Sequence, residues 1–142
     1  MEYQRFDSKI IVRLDRGDYV MDSLKEVAKK EAIQTGFVSA IGAVDLAQLN
    51  YFFLNLQNYK TVDFEEAFEV LSMNGNITQN NGEPHLHLHT VLGRSDYSTI
   101  GGHLLDARVS ITLEVIINII DTKMTREDDK EINNFKYMKF DA

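Results

Sequence analysis

The sequence predicts an α+β fold, a mostly antiparallel β-sheet core with one main covering helix. Three observations carry that prediction. Most of the apolar residues fall in short runs with a period of two, the period of a half-buried strand. One segment alone has apolar residues at helical spacing. Two Asn-Gly pairs, Asn74-Gly75 and Asn81-Gly82, are turn signals of the kind that join antiparallel strands.

Taken in order, Lys9 to Leu14 (KIIVRL) is an apolar, β-branched run closed by Asp15-Arg16-Gly17-Asp18, hence a strand and a turn. The helix follows, roughly Tyr19 to Thr35. Val20, Leu24, Val27, Ala28 and Ala32 recur at spacings of three and four, Lys25, Lys29 and Lys30 take the other side, and Gly36 is placed as a stop. Strands return at Phe37 to Ile41 and Leu46 to Leu54, with a break at Gly42. Phe64 to Met73 alternates weakly, His85 to Leu92 alternates clearly, and Ser110 to Ile120 is β-branched. Thr125-Arg-Glu-Asp-Asp-Lys reads as a capped helical turn or, preferably, a solvated charge run, and Phe135 and Tyr137 begin a closing strand. No repeat, linker or low-complexity tract interrupts the chain, so residues 1–142 are predicted to form a single domain.

Composition narrows the chemistry. Of 142 residues, 44% are hydrophobic and 26% charged, a globular balance that argues against disorder. Cysteine is absent, so a disulfide framework and a thiolate metal site are both excluded. No apolar stretch is long enough for a signal h-region or a membrane span, and a cytoplasmic location without membrane association is the expectation. The net charge of −7 opposes broad electrostatic attraction to nucleic acid. Residues 61–92 hold five acids (Asp63, Glu65, Glu66, Glu69, Glu83) and no Lys or Arg, and they run into the histidines, which reads as a cation-favouring neighbourhood.

All four histidines lie in His85-Leu86-His87-Leu88-His89 and Gly101-Gly102-His103. On a strand the first three share one face and the leucines take the other. Imidazoles two residues apart have Cα atoms about 6.6 Å apart and can converge on one ion, whereas three in a row span about 13 Å and cannot. A single site therefore uses one adjacent pair, His85-His87 or His87-His89, with His103 brought back by the loop from Gly93 to Ile100. Three imidazoles leave a position open on zinc or another divalent transition metal. Glu83 and Glu114 are candidates for supporting carboxylates, Glu114 because it interrupts the apolar run Ile111 to Ile117. No G-x-S-x-G, P-loop or G-x-G-x-x-G is present.

His85-x-His87, Gly101-Gly102-His103-Leu104 and Val109 through Glu114-Val115 resemble, in that order and spacing, the plants-and-prokaryotes-conserved (PPC) domain. Arg13, Gly17-Asp18, the single helix and Gly36-Phe-Val-Ser-Ala-Ile-Gly-Ala ahead of Tyr51-Phe52 extend the likeness from about Arg5 to Phe140. The resemblance implies a β-sheet core with one helix, a homotrimer, and a metal ion on His85, His87 and His103, with His89 a neighbour and not a ligand. Prokaryotic relatives are labelled predicted DNA-binding proteins because plant relatives carry AT-hooks. An AT-hook needs Arg-Gly-Arg-Pro, but the only proline here follows Glu83, so DNA association would have to come through a partner or a local patch, and direct DNA binding ranks third among the readings. Function is read as a metal-binding binding or regulatory module. The alternative is a zinc-dependent hydrolase or lyase acting through metal-bound water on a small-molecule ligand.

Overall fold

The computed structural model describes residues 1–140; Asp141 and Ala142, the end of the predicted domain, lie outside it. The strands are β1 (Glu2–Phe6), β2 (Lys9–Asp15), β3 (Gly36–Phe53), β4 (Asn58–Phe64), β5 (Phe68–Asn80), β6 (Glu83–Gly93), β7 (Thr99–Ile119), β8 (Met124–Asp128) and β9 (Lys136–Phe140), and the helix is α1 (Val20–Lys30). They form one sheet in the order β1-β2-β7-β3-β5-β8-β9, with β4 paired to β3 and β6 paired to both β5 and β7. Because β3 pairs with β5 and β7, and β6 also pairs with both, these four strands close into a ring.

The sheet is mixed but mostly antiparallel, in keeping with the expectation: only β5 and β8 meet in parallel, at Gln79 and Thr125. Thr125 belongs to a strand, although its charge run reads as a turn or a solvated segment. The strand forms because β8 has a hairpin partner in β9, and because the Met124 N–H donates to Thr35 Oγ1 at 2.9 Å. No helix among the described residues is long and apolar enough to cross a membrane.

The core lies between α1 and the sheet. Val20, Leu24, Val27 and Ala28 on the helix are buried with Ile10, Val12 and Leu14 of β2, Leu113, Val115 and Ile117 of β7, and Leu86 and Leu88 of β6. Burying each of the larger side chains contributes roughly 1.5–3 kcal/mol relative to exposure. The helix ends five residues before the position predicted for it. Ala32 takes a φ of 52°, the Ile33 N–H donates to Ala28 O at 2.9 Å, and Ile33 turns into the core. Gly36 begins β3, where a Cβ would meet the Asn118 carbonyl at 3.1 Å, so it permits a close approach of strands and does not stop the helix.

Asn81-Gly82 is the turn it was predicted to be, with both φ values positive (52° and 81°) and Asn80 opposite Glu83. Asn74-Gly75 is not a turn. It lies inside β5, where Gly75 faces Leu88 and lets the His87 carbonyl come close. Gly42 does not divide two strands either; it marks a register shift within the continuous β3, against the Thr112 carbonyl.

Candidate metal centre and adjoining cleft

Alternation on β6 sends Leu86 and Leu88 into the core and leaves His85 and His87 half-buried and His89 exposed on the opposite face. His103 enters from β7 at the point where that strand touches two others, directly opposite His89 of β6 and Asn50 of β3. The three rings of His87, His89 and His103 pack with centroids 5.0–5.5 Å apart. One ligand nitrogen from each lies within 4.8 Å of the others, and His87 Nε2 stands 3.2 Å from His89 Nε2. Imidazole nitrogens gathered this way, with no thiolate available, are a donor set that could hold a borderline divalent cation.

Burial pushes the His87 imidazole down to about 4, helped by neighbouring His103 and Arg126; burial followed by Arg126 does the same to His85. His103 is lowered as well, by burial and then by His89. Neutral imidazoles are the form that binds metal, so at neutral pH His87 and His103 offer it little proton competition.

His85, the third ligand implied by the resemblance, stands outside the close group. It lines a cleft of about 430 Å³ that His87 and His103 also line, together with Asn50, Tyr59, Arg126, Asp128, Asn134, Phe135 and Lys136. Glu83 is exposed and paired with Lys29 at 2.5 Å, and Glu114 is exposed opposite Arg13 and Ile41; neither lines the cleft. The acidic block behaves likewise, with Glu66 bound to Arg94 and none of its five acids at the cleft. Sequence proximity therefore misplaces the electrostatics. What adjoins the histidines is net positive, with Arg126 and Lys136 against Asp128, which pairs with Lys136 at 2.6 Å.

Arg126 and its companions come from β8, β9 and the loop between them, the stretch that reads as a solvated charge run. A faint signal exists in the alternation Met124-x-Arg126-x-Asp128, which puts a buried methionine and two cleft residues on one strand face. Nothing local in the sequence places that strand beside β5.

A sequence profile of the Plants and Prokaryotes Conserved domain (abbreviated PCC or PPC) matches residues 1–121. The chain belongs to this family. Solved structures of similar PPC-type folds include a candidate DNA-binding protein from Bacteroides thetaiotaomicron, 28% identical over 98% of this chain and 96% of that one, with a TM-score of 0.94. A PPC protein from Pyrococcus horikoshii is 26% identical over 91% and 88% of the two chains, TM-score 0.81. A metal-containing protein from Archaeoglobus fulgidus is 27% identical over 92% of each, TM-score 0.82. Among curated proteins, none matches the chain by sequence. The PPC match ends at residue 121, so β8 and β9, which wall the cleft, follow the matched segment.

Proposed function

We propose that this PPC protein is a metal-binding module that holds a divalent transition metal, zinc first, on His87 and His103 with a third imidazole from His89. The observation that carries this reading is the close group of three ligand nitrogens on paired strands. The resemblance implies His85 in place of His89; the ladder opposite His103 favours His89. The metal-containing neighbour from Archaeoglobus fulgidus supports metal binding in a fold of this kind. Held there, the ion would supply a Lewis acid beside the cleft that His87 and His103 line.

Elemental analysis of protein purified without a polyhistidine tag tests the reading. Wild type is expected to carry about one metal per chain, and His87→Ala to lose at least about 90% of it. Below about 0.2 metal per chain in wild type, or occupancy unchanged in His87→Ala, the metal reading fails. His89→Ala is expected to cost more occupancy than His85→Ala, and the reverse order returns the third ligand to His85.

The module assembles, in this reading, as a homotrimer through the outer face of the sheet. Ile11 pairs across the ladder with Ile116, and Phe37 and Ile41 flank them on β3; all four apolar side chains are 46–57% exposed. Direct DNA binding, which the name of the Bacteroides neighbour suggests for that protein, is not part of the proposal: the chain carries −7 and no AT-hook. A small-molecule zinc enzyme is the second reading, favoured by the cleft beside the histidines.

A further inference from the structure

Beside the histidines the cleft lining carries a cation without an acidic partner, held on Thr78 and Asn76, the register partners of His85 and His87. Among the described residues Arg126 makes no ion pair; its Nε donates to Thr78 Oγ1 at 3.0 Å and its Nη2 to Asn76 Oδ1 at 2.7 Å. Both acceptors are neutral. Thr78 is fully buried, so the guanidinium is held in one orientation by β5 while it lines the cleft. A guanidinium has five N–H donors, and these two bonds leave the rest of its fork free.

The other cleft groups define what fits there. Lys136 and Asp128 neutralise each other, so with neutral imidazoles the lining has a net charge of +1, enough for one monoanion. Aromatic rings supply an apolar side: Tyr59 lies 5.4 Å from the His103 ring, Phe52 4.9 Å from Tyr59, and Phe135 5.8 Å from Phe52. The roof is built, not draped. Gln57 in the β3–β4 turn donates to Glu131 O at 3.3 Å and accepts from the Asn133 N–H at 3.2 Å, while Asn134 Nδ2 donates to Gln57 O at 3.2 Å. These bonds tie the β8–β9 loop, with Phe135, over the site.

We propose that this cleft binds a small organic monocarboxylate, its carboxylate forked on Arg126 and its apolar body against Phe135 and Tyr59. A planar carboxylate matches the guanidinium fork, and in the metal-free protein a single charge matches the lining, where a phosphate dianion would leave one charge uncompensated. The inference deepens the metal-site reading, since the ligand would lie between Arg126 and the ion, but Arg126 is held without the ion.

Calorimetric titration of benzoate into zinc-loaded and chelator-treated protein tests it, with inorganic phosphate as the competing probe and metal content measured on every sample. Benzoate is expected to bind with a Kd of about 1 mM or tighter. Arg126→Gln is expected to weaken it at least about tenfold with metal content unchanged, and Arg126→Lys, which keeps the charge but not the fork, to recover only part of the loss. Thermal midpoints of both variants verify that the fold is retained. The proposal is overturned by no benzoate binding up to about 10 mM in either form, by equal binding to wild type and Arg126→Gln, or by phosphate binding more tightly than benzoate to chelator-treated protein. Failure of the metal reading shows separately, as missing metal in protein whose chelator-treated form still binds benzoate through Arg126.

Discussion

Replacing Gly75 by alanine is expected to be among the most damaging single-methyl additions in this protein. Gly75 lies inside β5 and has no positive φ, so any cost is steric and not conformational. A Cβ there would stand 1.8 Å from the His87 carbonyl oxygen, 2.8 Å from its carbonyl carbon and 2.9 Å from Leu88 Cα. Carbon and oxygen come no closer than about 3.3 Å in ordinary contact, so β5 and β6 must part locally by about 1.5 Å. Hydrogen bonds stretched that far are lost. Two ladder bonds at about 1 kcal/mol each, plus about 1–3 kcal/mol of overpacking, give a loss of about 3–5 kcal/mol. That is a large part of the 5–15 kcal/mol typical of a whole domain. Urea unfolding of Gly75→Ala, with Gly82→Ala as the control, measures it. Gly82 has a φ of +81° and nothing within 4 Å of an added Cβ, so its variant is expected to lose only about 1 kcal/mol. Since the displaced strand carries His87 and His89, Gly75→Ala is also expected to lose metal. A Gly75→Ala loss of about 1 kcal/mol or less, equal to that of Gly82→Ala, would refute the reasoning and restore Asn74-Gly75 to a turn.

Other perturbations have equally direct readouts. In chelator-treated protein, His85 and His87 have folded-state pKa values near 4 against 6.5 unfolded. Above about pH 6.5 they add no slope; as pH falls from there through about 4 the unfolded chain takes up protons first, and stability drops. Half-burial and solvent screening reduce the effect to about 1 kcal/mol per ring, read as a lower urea midpoint at about pH 4.5 than at pH 7. A drop of the same size in a His85→Asn/His87→Asn double variant would assign it to other groups. Ile116→Asp, which charges the outer apolar face, is expected to convert a trimer to monomers in sedimentation velocity without a fall in monomer stability beyond about 1 kcal/mol. An unchanged sedimentation coefficient removes that face as the interface. Asp106 Oδ1 accepts the Met21 N–H at 3.1 Å, although burial raises its pKa; Asp106→Ala is expected to cost about 1 kcal/mol by uncapping α1. No change in the urea midpoint would show that the cap is idle.

The strands that alternate strongly were legible because one face is buried and the other wet. β2 and β6 match their predicted runs to within a few residues, and the helix periodicity identified the side chains that α1 buries. β1 was not legible, since Glu2–Phe6 is a largely exposed edge strand with no apolar alternation to reveal it. Gly36, Gly42 and Gly75 were misread for a common reason. A glycine that allows a turn and one that allows a neighbouring backbone to approach look identical along the chain; Gly17 and Gly82, both with positive φ and open space around them, are of the first kind.

At the site, the face shared by His85, His87 and His89 follows from the two-residue period of a strand, and the absence of cysteine limits the ligands to imidazoles and carboxylates whatever the fold. Which imidazoles meet is a matter of register. His103 stands opposite His89 because of how β7 pairs with β6, fourteen positions along the chain and invisible to local pattern. The cleft's positive character has the same origin: Glu83 is near the histidines in sequence but turns to Lys29, while Arg126, far away in sequence, is carried back by β8 and its bonds to Thr78 and Asn76. Side-chain chemistry and strand periodicity are local and survive in the bare sequence. The company a charge keeps depends on long-range strand pairing, and that exists only once the chain has folded.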